Sequence, residues 1–246
     1  MSLRAHIKKH GRKFAVESVN RLRLPGSLLI IPDGNGRWAK ENHLNIEKGH
    51  MAGASSIEKI LEHFVKLNIN VLGIWGFSED NWKRNEQEVK NIMDVVRQTI
   101  ERDLAKLQKN NIKFLWLGER KNIQKLYPKT YESLMKTEKE TAKNSFKTLA
   151  LFLDYGERFQ LEEFAKTRES DKTSSTYELL SKINSGLPLF DMVLRTSGEL
   201  RLSGFGPLAE LAEFVSVKKN LPELSDVDIV NALREFSGRQ RRFGGR

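Results

Sequence analysis

The sequence has no cysteine among its 246 residues. Disulfide bonds, thiolate metal sites and a cysteine nucleophile are therefore excluded. The sequence also lacks any apolar run close to the roughly 20 residues that a helix needs to cross a bilayer. No apolar signal-peptide stretch follows the basic N-terminus. From these absences we expect a cytoplasmic protein.

The composition is that of a folded chain. Hydrophobic residues make up 39% of the sequence and charged residues 30%, which excludes a disordered chain, a collagen and a disulfide scaffold. A chain of this length can bury a large core, and it forms one large α/β domain or two small ones.

Positive charge is concentrated at the two ends of the chain. The formal net charge is +10, of which residues 1–23 carry +6 and residues 239–246 carry +4. The middle is neutral, whereas a nucleic-acid-binding protein usually carries a basic stripe on its folded body, so we expect no nucleic-acid partner. The N-terminal segment is interpreted as a solvated tail or as a peripheral contact with an anionic membrane. The C-terminal arginines are candidates for binding an anionic ligand.

Predicted strands and helices alternate along the chain. Strands are predicted at 27–33, 71–77, 113–118, 148–155, 191–196 and 213–217. Helices are predicted at 47–67, 86–109, 131–143, 158–166, 177–183 and 226–236, the last with Ser225 as its N-cap. The polar stretch 167–175 is interpreted as a mobile loop. This alternation predicts a mostly parallel sheet covered by helices on both faces, with ligands at the carboxyl ends of the strands.

The segment 31–40, IPDGNGRWAK, follows the first predicted strand. Its glycines allow backbone N–H groups to approach a ligand closely, and a turn that leads to a helix N-terminus is a good anion site. Arg37 adds a donor that can bind phosphate through two hydrogen bonds. Asp33 beside this turn indicates Mg²⁺, which proteins hold through one or two carboxylates together with substrate phosphates. The alternative is an ordinary Asp-Gly turn, because short glycine-rich motifs often occur by chance.

Two further polar segments follow other strands. FSEDNWKR, at 77–84, is either a functional loop or a solvated loop anchored by Trp82. In the segment 195–214, Arg195, Arg201 and Ser203 can converge on a diphosphate, and Glu213 can complete a metal site with Asp33. No nucleophile triad is present, and the histidines lack metal-ligand spacing. These features together indicate a diphosphate leaving group whose developing charge is stabilised by Mg²⁺ and arginine.

Five motifs together resemble the cis-prenyltransferases, the family that includes undecaprenyl diphosphate synthase. They are DGNGRWA at 33–39, FSEDNWKR at 77–84, DYGER at 154–158, RTSGELRLS at 195–203 and RRFGG at 241–245. The resemblance extends from about residue 28 to 245, with the same order and spacing. It implies that family's α/β fold, with a mostly parallel central sheet flanked by helices and a hydrophobic tunnel for the growing chain. The implied division is a basic N-terminal segment, 1–26, and one catalytic domain, 27–246, that ends in the RRFGG tail.

The activity implied by the resemblance is the condensation of an allylic diphosphate with isopentenyl diphosphate. The family uses Mg²⁺, forms a cis double bond and works as a homodimer. Asp33, Asn81 and Trp82 resemble its catalytic residues, and Asp33 and Glu213 resemble its metal carboxylates. The substrate-binding set comprises Gly34, Asn35, Gly36, Arg37, Trp38, His50, Ser78, Arg84, Arg195, Arg201, Ser203, Arg242 and Gly244. The last two belong to the tail that reaches the partner subunit's site.

Several positions depart from the family's usual residues. Pro32 stands where the family has Met, and Ile46 where it has an arginine that binds phosphate. The segments 154–158 and 204–208 read DYGER and GFGPL instead of NYGGR and NFLLW, and Asn85 replaces a proline. The loss of one charge-assisted hydrogen bond at Ile46 weakens diphosphate binding by about 1.5–3 kcal/mol. These departures favour a product or a reaction different from standard long-chain elongation.

Two large aromatic residues predict a short product. Trp75 in the second strand and Phe152 in the fourth are expected to occupy the tunnel, because an added ring in a close-packed interior displaces other groups. The alternative is that both side chains point away from the tunnel, into the helix layer.

The sequence is compatible with three functions. The first is an active cis-prenyltransferase. The second is a relative with different allylic chemistry, either the irregular coupling of two five-carbon units or a terpene synthase. The third is a non-catalytic partner subunit, which the retained Asp33, Asn81, Arg195 and RRFGG argue against.

Overall fold

Six parallel strands form one sheet in the order β3-β4-β2-β1-β5-β6. The structure is a computed structural model that describes residues 19–242. The strands are β1 (Ser27–Ile31), β2 (Val71–Ser78), β3 (Ile112–Leu117), β4 (Lys147–Tyr155), β5 (Met192–Arg195) and β6 (Glu213–Ser216). The prediction of a mostly parallel sheet is confirmed.

Eight α-helices connect or follow these strands in the described part of the chain. They are α1 (Asn35–Glu41), α2 (Ile46–Lys66), α3 (Glu86–Lys109), α4 (Arg120–Leu126), α5 (Pro128–Thr141), α6 (Glu157–Ser170), α7 (Thr176–Ile183) and α8 (Asp226–Gly238). Asn45 and Asn85 cap the two longest helices, since each side-chain oxygen accepts a hydrogen bond at 3.1 Å from the backbone N–H three residues on. Ser225 caps α8 as predicted. Among residues 19–242, none of the helices combines the length and the apolar character that a membrane crossing requires.

The two faces of the sheet carry separate apolar clusters. Side chains of β2 and β4 alternate between the faces, as strand geometry requires. One face packs against α2, α3 and α8 and includes Ile74, Leu149 and Leu151. The opposite face includes Trp75, Phe152 and Phe205. The helices therefore cover both faces, and the α/β architecture is that of a single domain.

Three local elements differ from the sequence-based predictions. The α1 helix begins directly after Gly34, where a turn had been predicted, because Gly34 has a φ of 94° and turns the chain within one residue. The short α4 helix was not predicted. The α6 helix continues to Ser170, so only 171–175 of the predicted loop 167–175 lies outside helices. In its last turn, Nη1 of Arg168 donates to the carbonyl of Ser174 at 2.7 Å and so ties the helix end to the segment that follows.

Candidate active site

A cleft of about 510 Å³ opens at the carboxyl ends of β1, β2 and β5. It brings together residues of all three polar segments singled out in the sequence. The predicted site residues that line it are Asp33, Gly34, Asn35, Gly36, Arg37, His50, Trp75, Ser78, Asn81, Arg84, Arg195 and Ser203. The predicted site residues in the described part of the chain that do not line it are Trp38, Trp82, Phe152, Arg201, Glu213 and Arg242.

Asp33 is held between two arginines directly after β1. Its Oδ1 atom lies 2.9 Å from Nη2 of Arg37, and its Oδ2 atom lies 3.0 Å from Nη2 of Arg195. The hydroxyl of Thr196 accepts from the backbone N–H of Asp33 at 2.7 Å and donates to its carbonyl at 2.8 Å. Partial burial acts to raise the pKa of Asp33, but hydrogen bonds from Arg195 and Arg37 outweigh it and hold that pKa below its ordinary value. Asp33 is therefore a carboxylate at neutral pH.

Close packing at three glycines shapes the floor of the cleft. A Cβ atom on Gly34 would lie 2.0 Å from Oγ of Ser197. On α2, a Cβ atom on Gly49 would lie 2.3 Å from the carbonyl oxygen of Asn35, and one on Gly53 would lie 2.3 Å from Asn35 Oδ1. Gly49 and Gly53 let α2 lie directly against the start of α1.

Two buried polar atoms beside this floor make no hydrogen bond to any described residue. They are Oδ1 of Asn35 and Nε2 of His50. The nearest charged group to the latter is Oε1 of Glu88 at 3.5 Å, which also accepts from Nη1 of Arg84 at 2.8 Å. Burial lowers the pKa of His50; Glu88 opposes this shift and Arg84 adds to it. His50 is therefore neutral at pH 7, and the unpartnered atoms point to a polar ligand in this cleft.

The second polar segment forms a 3-10 helix, Glu79–Lys83, at the rim of the cleft. Oδ1 of Asn81 accepts from the backbone N–H of Ser78 at 3.0 Å and so fixes the start of this helix. Trp82 faces away from the cleft. Its Nε1 atom donates to Oδ1 of Asp154 at 2.7 Å, and its ring packs edge-on against Phe77 with the ring centroids 4.9 Å apart. Trp82 thus anchors the segment from behind, and its catalytic role stays a prediction.

The third polar segment places a buried arginine at the centre of the site. The side chain of Arg195 is 5% exposed and donates from Nη1 to Oγ of Ser203 at 2.8 Å and to the carbonyl of Arg201. Ser203 has a φ of 51° and Gly204 a φ of 78°, so the chain turns back here and brings Ser203 to Arg195. Arg201 lies outside the cleft lining and is paired with Glu199.

Glu213 and Asp33 lie far apart within one chain. The register pairs Leu28 with Met192 and Met192 with Glu213, so Glu213 lies at the amino end of the sheet. Asp33 is five residues beyond Leu28, about 16 Å away along the strand direction. Oε2 of Glu213 instead lies 3.1 Å from Nη1 of Arg239. The predicted pairing of Asp33 and Glu213 at one metal ion is therefore wrong for a single chain. Among residues 19–242, no group of three or more His, Asp or Glu is arranged to hold a metal.

The described start of the C-terminal tail, Arg241 and Arg242, lies at that same amino end of the sheet. Nη1 of Arg241 pairs with Oδ1 of Asp191, the residue before β5, and Nη2 donates to the carbonyl of Leu211 at 3.1 Å. Arg242 is exposed there, far from the cleft of its own chain. Gly244 lies outside the described residues.

An apolar cavity of about 140 Å³ adjoins the cleft. Pro32, Asn35, His50, Gly76 and Ile92 line both spaces, and the cavity continues between α2 and α3 over Phe114, Leu149 and Leu151 of the sheet. Trp75 and Phe152 belong to the opposite face, and Phe152 packs against Phe205 with ring centroids 5.0 Å apart. Neither side chain lines this cavity, because strand alternation points both to the other face of the sheet. Trp75 lines the adjoining cleft instead.

Sequence reasoning missed three acidic residues of the site, of which Asp80 lines the cleft near Asn81. Glu88 lines the cleft and links His50 to Arg84. Glu199 lies between Arg37 and Arg201. Glu199 stands inside the motif 195–203 and could have been selected there, whereas Glu88 is one of several acids on α3 and carries no local signal.

Comparison with known proteins gives, along nearly the whole chain, the same family that the five motifs resemble. Residues 31–244 match the family described as "Putative undecaprenyl diphosphate synthase". An isoprenyl transferase from Geobacter sulfurreducens is 36% identical over 90% of this chain and 93% of its own length. One from Fusobacterium nucleatum is 34% identical over 90% of this chain and 96% of its own length.

Solved structures agree in fold. Lavandulyl diphosphate synthase from Lavandula x intermedia, solved with dimethylallyl diphosphate, superimposes with a TM-score of 0.82 at 24% identity and covers 92% of this chain and 99% of its own. A "probable undecaprenyl diphosphate synthase" from Campylobacter jejuni has a TM-score of 0.74 at 25% identity, with 89% and 98% covered. The chain therefore belongs to the undecaprenyl diphosphate synthase family and is a prenyl transferase.

Proposed function

We propose that this member of the undecaprenyl diphosphate synthase family condenses an allylic diphosphate with isopentenyl diphosphate to a cis-prenyl diphosphate. In this reaction the allylic carbon–oxygen bond breaks, a carbon–carbon bond forms to the isopentenyl double bond, and diphosphate and a proton are released. One observation carries the proposal. A carboxylate, Asp33, lies between Arg37 and Arg195 in a cleft that continues directly into an apolar cavity.

The two sides of Asp33 suit two diphosphate groups. On one side, Arg37 and the start of α1 provide a guanidinium and backbone N–H groups for the allylic diphosphate. On the other side, Arg195 and Ser203 form a preorganised donor pair for isopentenyl diphosphate. Placing the two substrates on neighbouring strand ends would bring their reacting carbons together.

Mg²⁺ fits this arrangement as a metal held largely by substrate. Asp33 is charged at neutral pH and lies at the cleft, and Mg²⁺ in proteins is often bound through one or two carboxylates plus substrate phosphates. The metal would stabilise negative charge on the leaving diphosphate. The arginines on either side of Asp33 would orient both diphosphates around it.

The apolar cavity supports a short hydrocarbon product. Its volume of about 140 Å³ is similar to that of an engineered cavity of about 150 Å³ that binds benzene. A space of this size takes one group of five or six carbons. We therefore propose a short-chain product because the cavity is small. The side chains of Trp75 and Phe152 do not enter into this argument.

The C-terminal tail supports a homodimer. Arg239 and Arg241 hold it at the amino end of the sheet, opposite the cleft, so Arg242 can serve a diphosphate site only in another subunit. We propose that the tail completes the partner's site, and that the basic N-terminal segment makes a peripheral membrane contact.

Product analysis tests the proposed function. Purified protein would be incubated with Mg²⁺ and radiolabelled allylic diphosphates of five, ten and fifteen carbons, with and without isopentenyl diphosphate. We expect products only when both substrates are present, longer than the primer by a multiple of five carbons. The five-carbon primer should react best, because the cavity takes one group of five or six carbons. Products formed from allylic diphosphate alone would contradict the proposal and indicate irregular coupling or a terpene synthase. A lack of product from every primer would indicate a non-catalytic subunit.

A further inference from the structure

Glu199 lies between two arginines that come from different motifs. Its Oε1 atom is 3.1 Å from Nη2 of Arg37, and its Oε2 atom pairs with Nη1 of Arg201. The Glu199 side chain is 22% exposed, whereas both guanidinium side chains are about half exposed or more. Glu199 therefore links the first glycine-containing segment to the loop that follows β5.

The backbone of this loop fixes Glu199 in that position. Ser197 and Gly198 have φ values of 68° and 72°. The N–H of Ser197 donates to the carbonyl of Lys219 at 2.7 Å, and that of Gly198 to the carbonyl of Val217 at 2.9 Å. A left-handed conformation is unfavourable for a residue with a side chain such as Ser197, so the surrounding structure must specify it.

Two carboxylates surround the Arg37 guanidinium in the way that a bound anion would. Its Nη2 atom is shared between Oδ1 of Asp33 at 2.9 Å and Oε1 of Glu199 at 3.1 Å. With Arg195 on Asp33 and Arg201 on Glu199, two carboxylates occupy donors of three arginines. Asp33 has a role at the metal, whereas Glu199 has none in the proposed chemistry.

We propose that Glu199 is an internal substitute for a substrate phosphate. Its carboxylate pairs with Arg37 and Arg201 as long as no diphosphate is bound, and it releases both guanidinium groups when a diphosphate binds. The inference rests on the proposed function, because it takes the ligand of the cleft to be a diphosphate. Glu199 is a positioning residue in this role. It holds Arg37 at the cleft and Arg201 outside the cleft lining, and it competes with the incoming anion.

This role predicts an increase in anion affinity when the carboxylate is removed. A diphosphate must displace Glu199 from both arginines, so the loss of that competitor favours binding. A residue that only supports the loop would have the opposite effect, because its removal would disorder Arg37 and Arg201 and weaken binding. The direction of the change therefore distinguishes the two roles.

The test is isothermal titration of inorganic diphosphate into the full-length protein in EDTA at low salt. We expect Glu199→Gln and Glu199→Ala to bind diphosphate about three- to tenfold more tightly than the wild type, as the loss of two competing ion pairs implies. Glu101→Gln is the matched control, since Glu101 pairs with Arg97 on the surface of α3 and its loss changes net charge equally. It should bind like the wild type. Thermal unfolding of each variant shows that the fold is retained.

Two outcomes would overturn the inference about Glu199, and the second would also overturn the proposed function. If Arg195→Ala lowers diphosphate affinity but both Glu199 variants bind as weakly as the wild type or more weakly, the role given to Glu199 is wrong and the proposed function stands. If the wild type and Arg195→Ala bind diphosphate equally, the cleft is not a diphosphate site, and the proposed function and the role of Glu199 are both rejected.

Discussion

The Nη2 atom of Arg195 lies 3.0 Å from Oδ2 of Asp33, and this ion pair joins the carboxyl ends of β5 and β1. Ile31 and Arg195 are register partners, so the arginine side chain reaches the first residues beyond β1. Because Arg195 is buried and also donates to Ser203, its geometry is set before any ligand arrives. Preorganised donors of this kind stabilise developing charge without reorganisation.

Substitution of Asp33 is expected to remove activity without unfolding the protein. Asp33→Asn keeps the size of the side chain but removes the charge that would hold Mg²⁺ next to the leaving diphosphate. We expect kcat to fall by at least about a hundredfold, since metal-assisted charge stabilisation is worth several kcal/mol. Steady-state kinetics with saturating Mg²⁺ measures the change. Asp94→Asn, which affects an exposed ion pair with Arg97, is the control, and activity of Asp33→Asn within tenfold of the wild type would contradict the assignment.

The lowered pKa of His50 predicts that the stability of the protein depends on pH. Burial lowers the pKa of His50 in the folded state below its unfolded value of about 6.5. Below pH 6.5 the unfolded chain therefore binds this proton more readily than the folded protein does, and the free energy of unfolding decreases as the pH falls through the folded-state pKa. Urea unfolding at pH 7.5 and pH 5.5 should show a smaller decrease for His50→Gln than for the wild type.

The control for this measurement is His43→Asn. His43 is exposed and has a φ of 55°, a conformation that asparagine tolerates. It should retain the full pH dependence of the wild type. An equal loss of stability at low pH in the wild type and in His50→Gln would show that other groups cause it.

The sequence predicts most of the fold and the centre of the site for a physical reason. Apolar periodicity defined the long helix α3 at 86–109 and all six strands, and placement after a strand brought Asp33 and Arg195 to one sheet edge. The errors concern side-chain direction and strand ends. The alternation of β4 decides whether Phe152 or Leu153 faces the cavity layer, and the register of β6 decides at which end Glu213 lies. Neither is encoded by spacing within one segment.

Mixed dimers test whether the C-terminal tail acts on the partner subunit. One chain would carry Asp33→Ala, and the other would end after Arg241, so that it keeps the pairs of Arg239 with Glu213 and Arg241 with Asp191. Each homodimer should be inactive. In an equimolar mixture about a quarter of the sites would combine an intact Asp33 with an intact partner tail, so activity should return to about a quarter of the wild type.

The outcome distinguishes two arrangements of the tail. If the tail served its own chain, no site in a mixed dimer would be complete and activity would not return. Refolding the two chains together, with each tagged differently, isolates the mixed dimer for measurement. Normal affinity of the truncated homodimer for isopentenyl diphosphate would show that residues 242–246 have no role at the site.

Product length should respond to one of two matched phenylalanines. Phe114 on β3 and Phe152 on β4 are both almost completely buried, but only Phe114 lines the apolar cavity, whereas Phe152 packs on the opposite face of the sheet. Phe114→Ala would enlarge the space available to the growing chain, and we expect products longer by one or more five-carbon units. Phe152→Ala should leave product length unchanged.

The two variants control for each other because a buried Phe→Ala substitution costs about 3–5 kcal/mol of stability at either site. Both would lower the melting temperature, so a change in product length limited to Phe114→Ala cannot come from destabilisation alone. Phe114→Leu and Phe152→Leu provide a milder pair if the alanine variants do not fold. Chromatography of products with excess isopentenyl diphosphate measures the chain length. Longer products from Phe152→Ala, or unchanged products from Phe114→Ala, would show that the hydrocarbon chain does not occupy the cavity between α2 and α3.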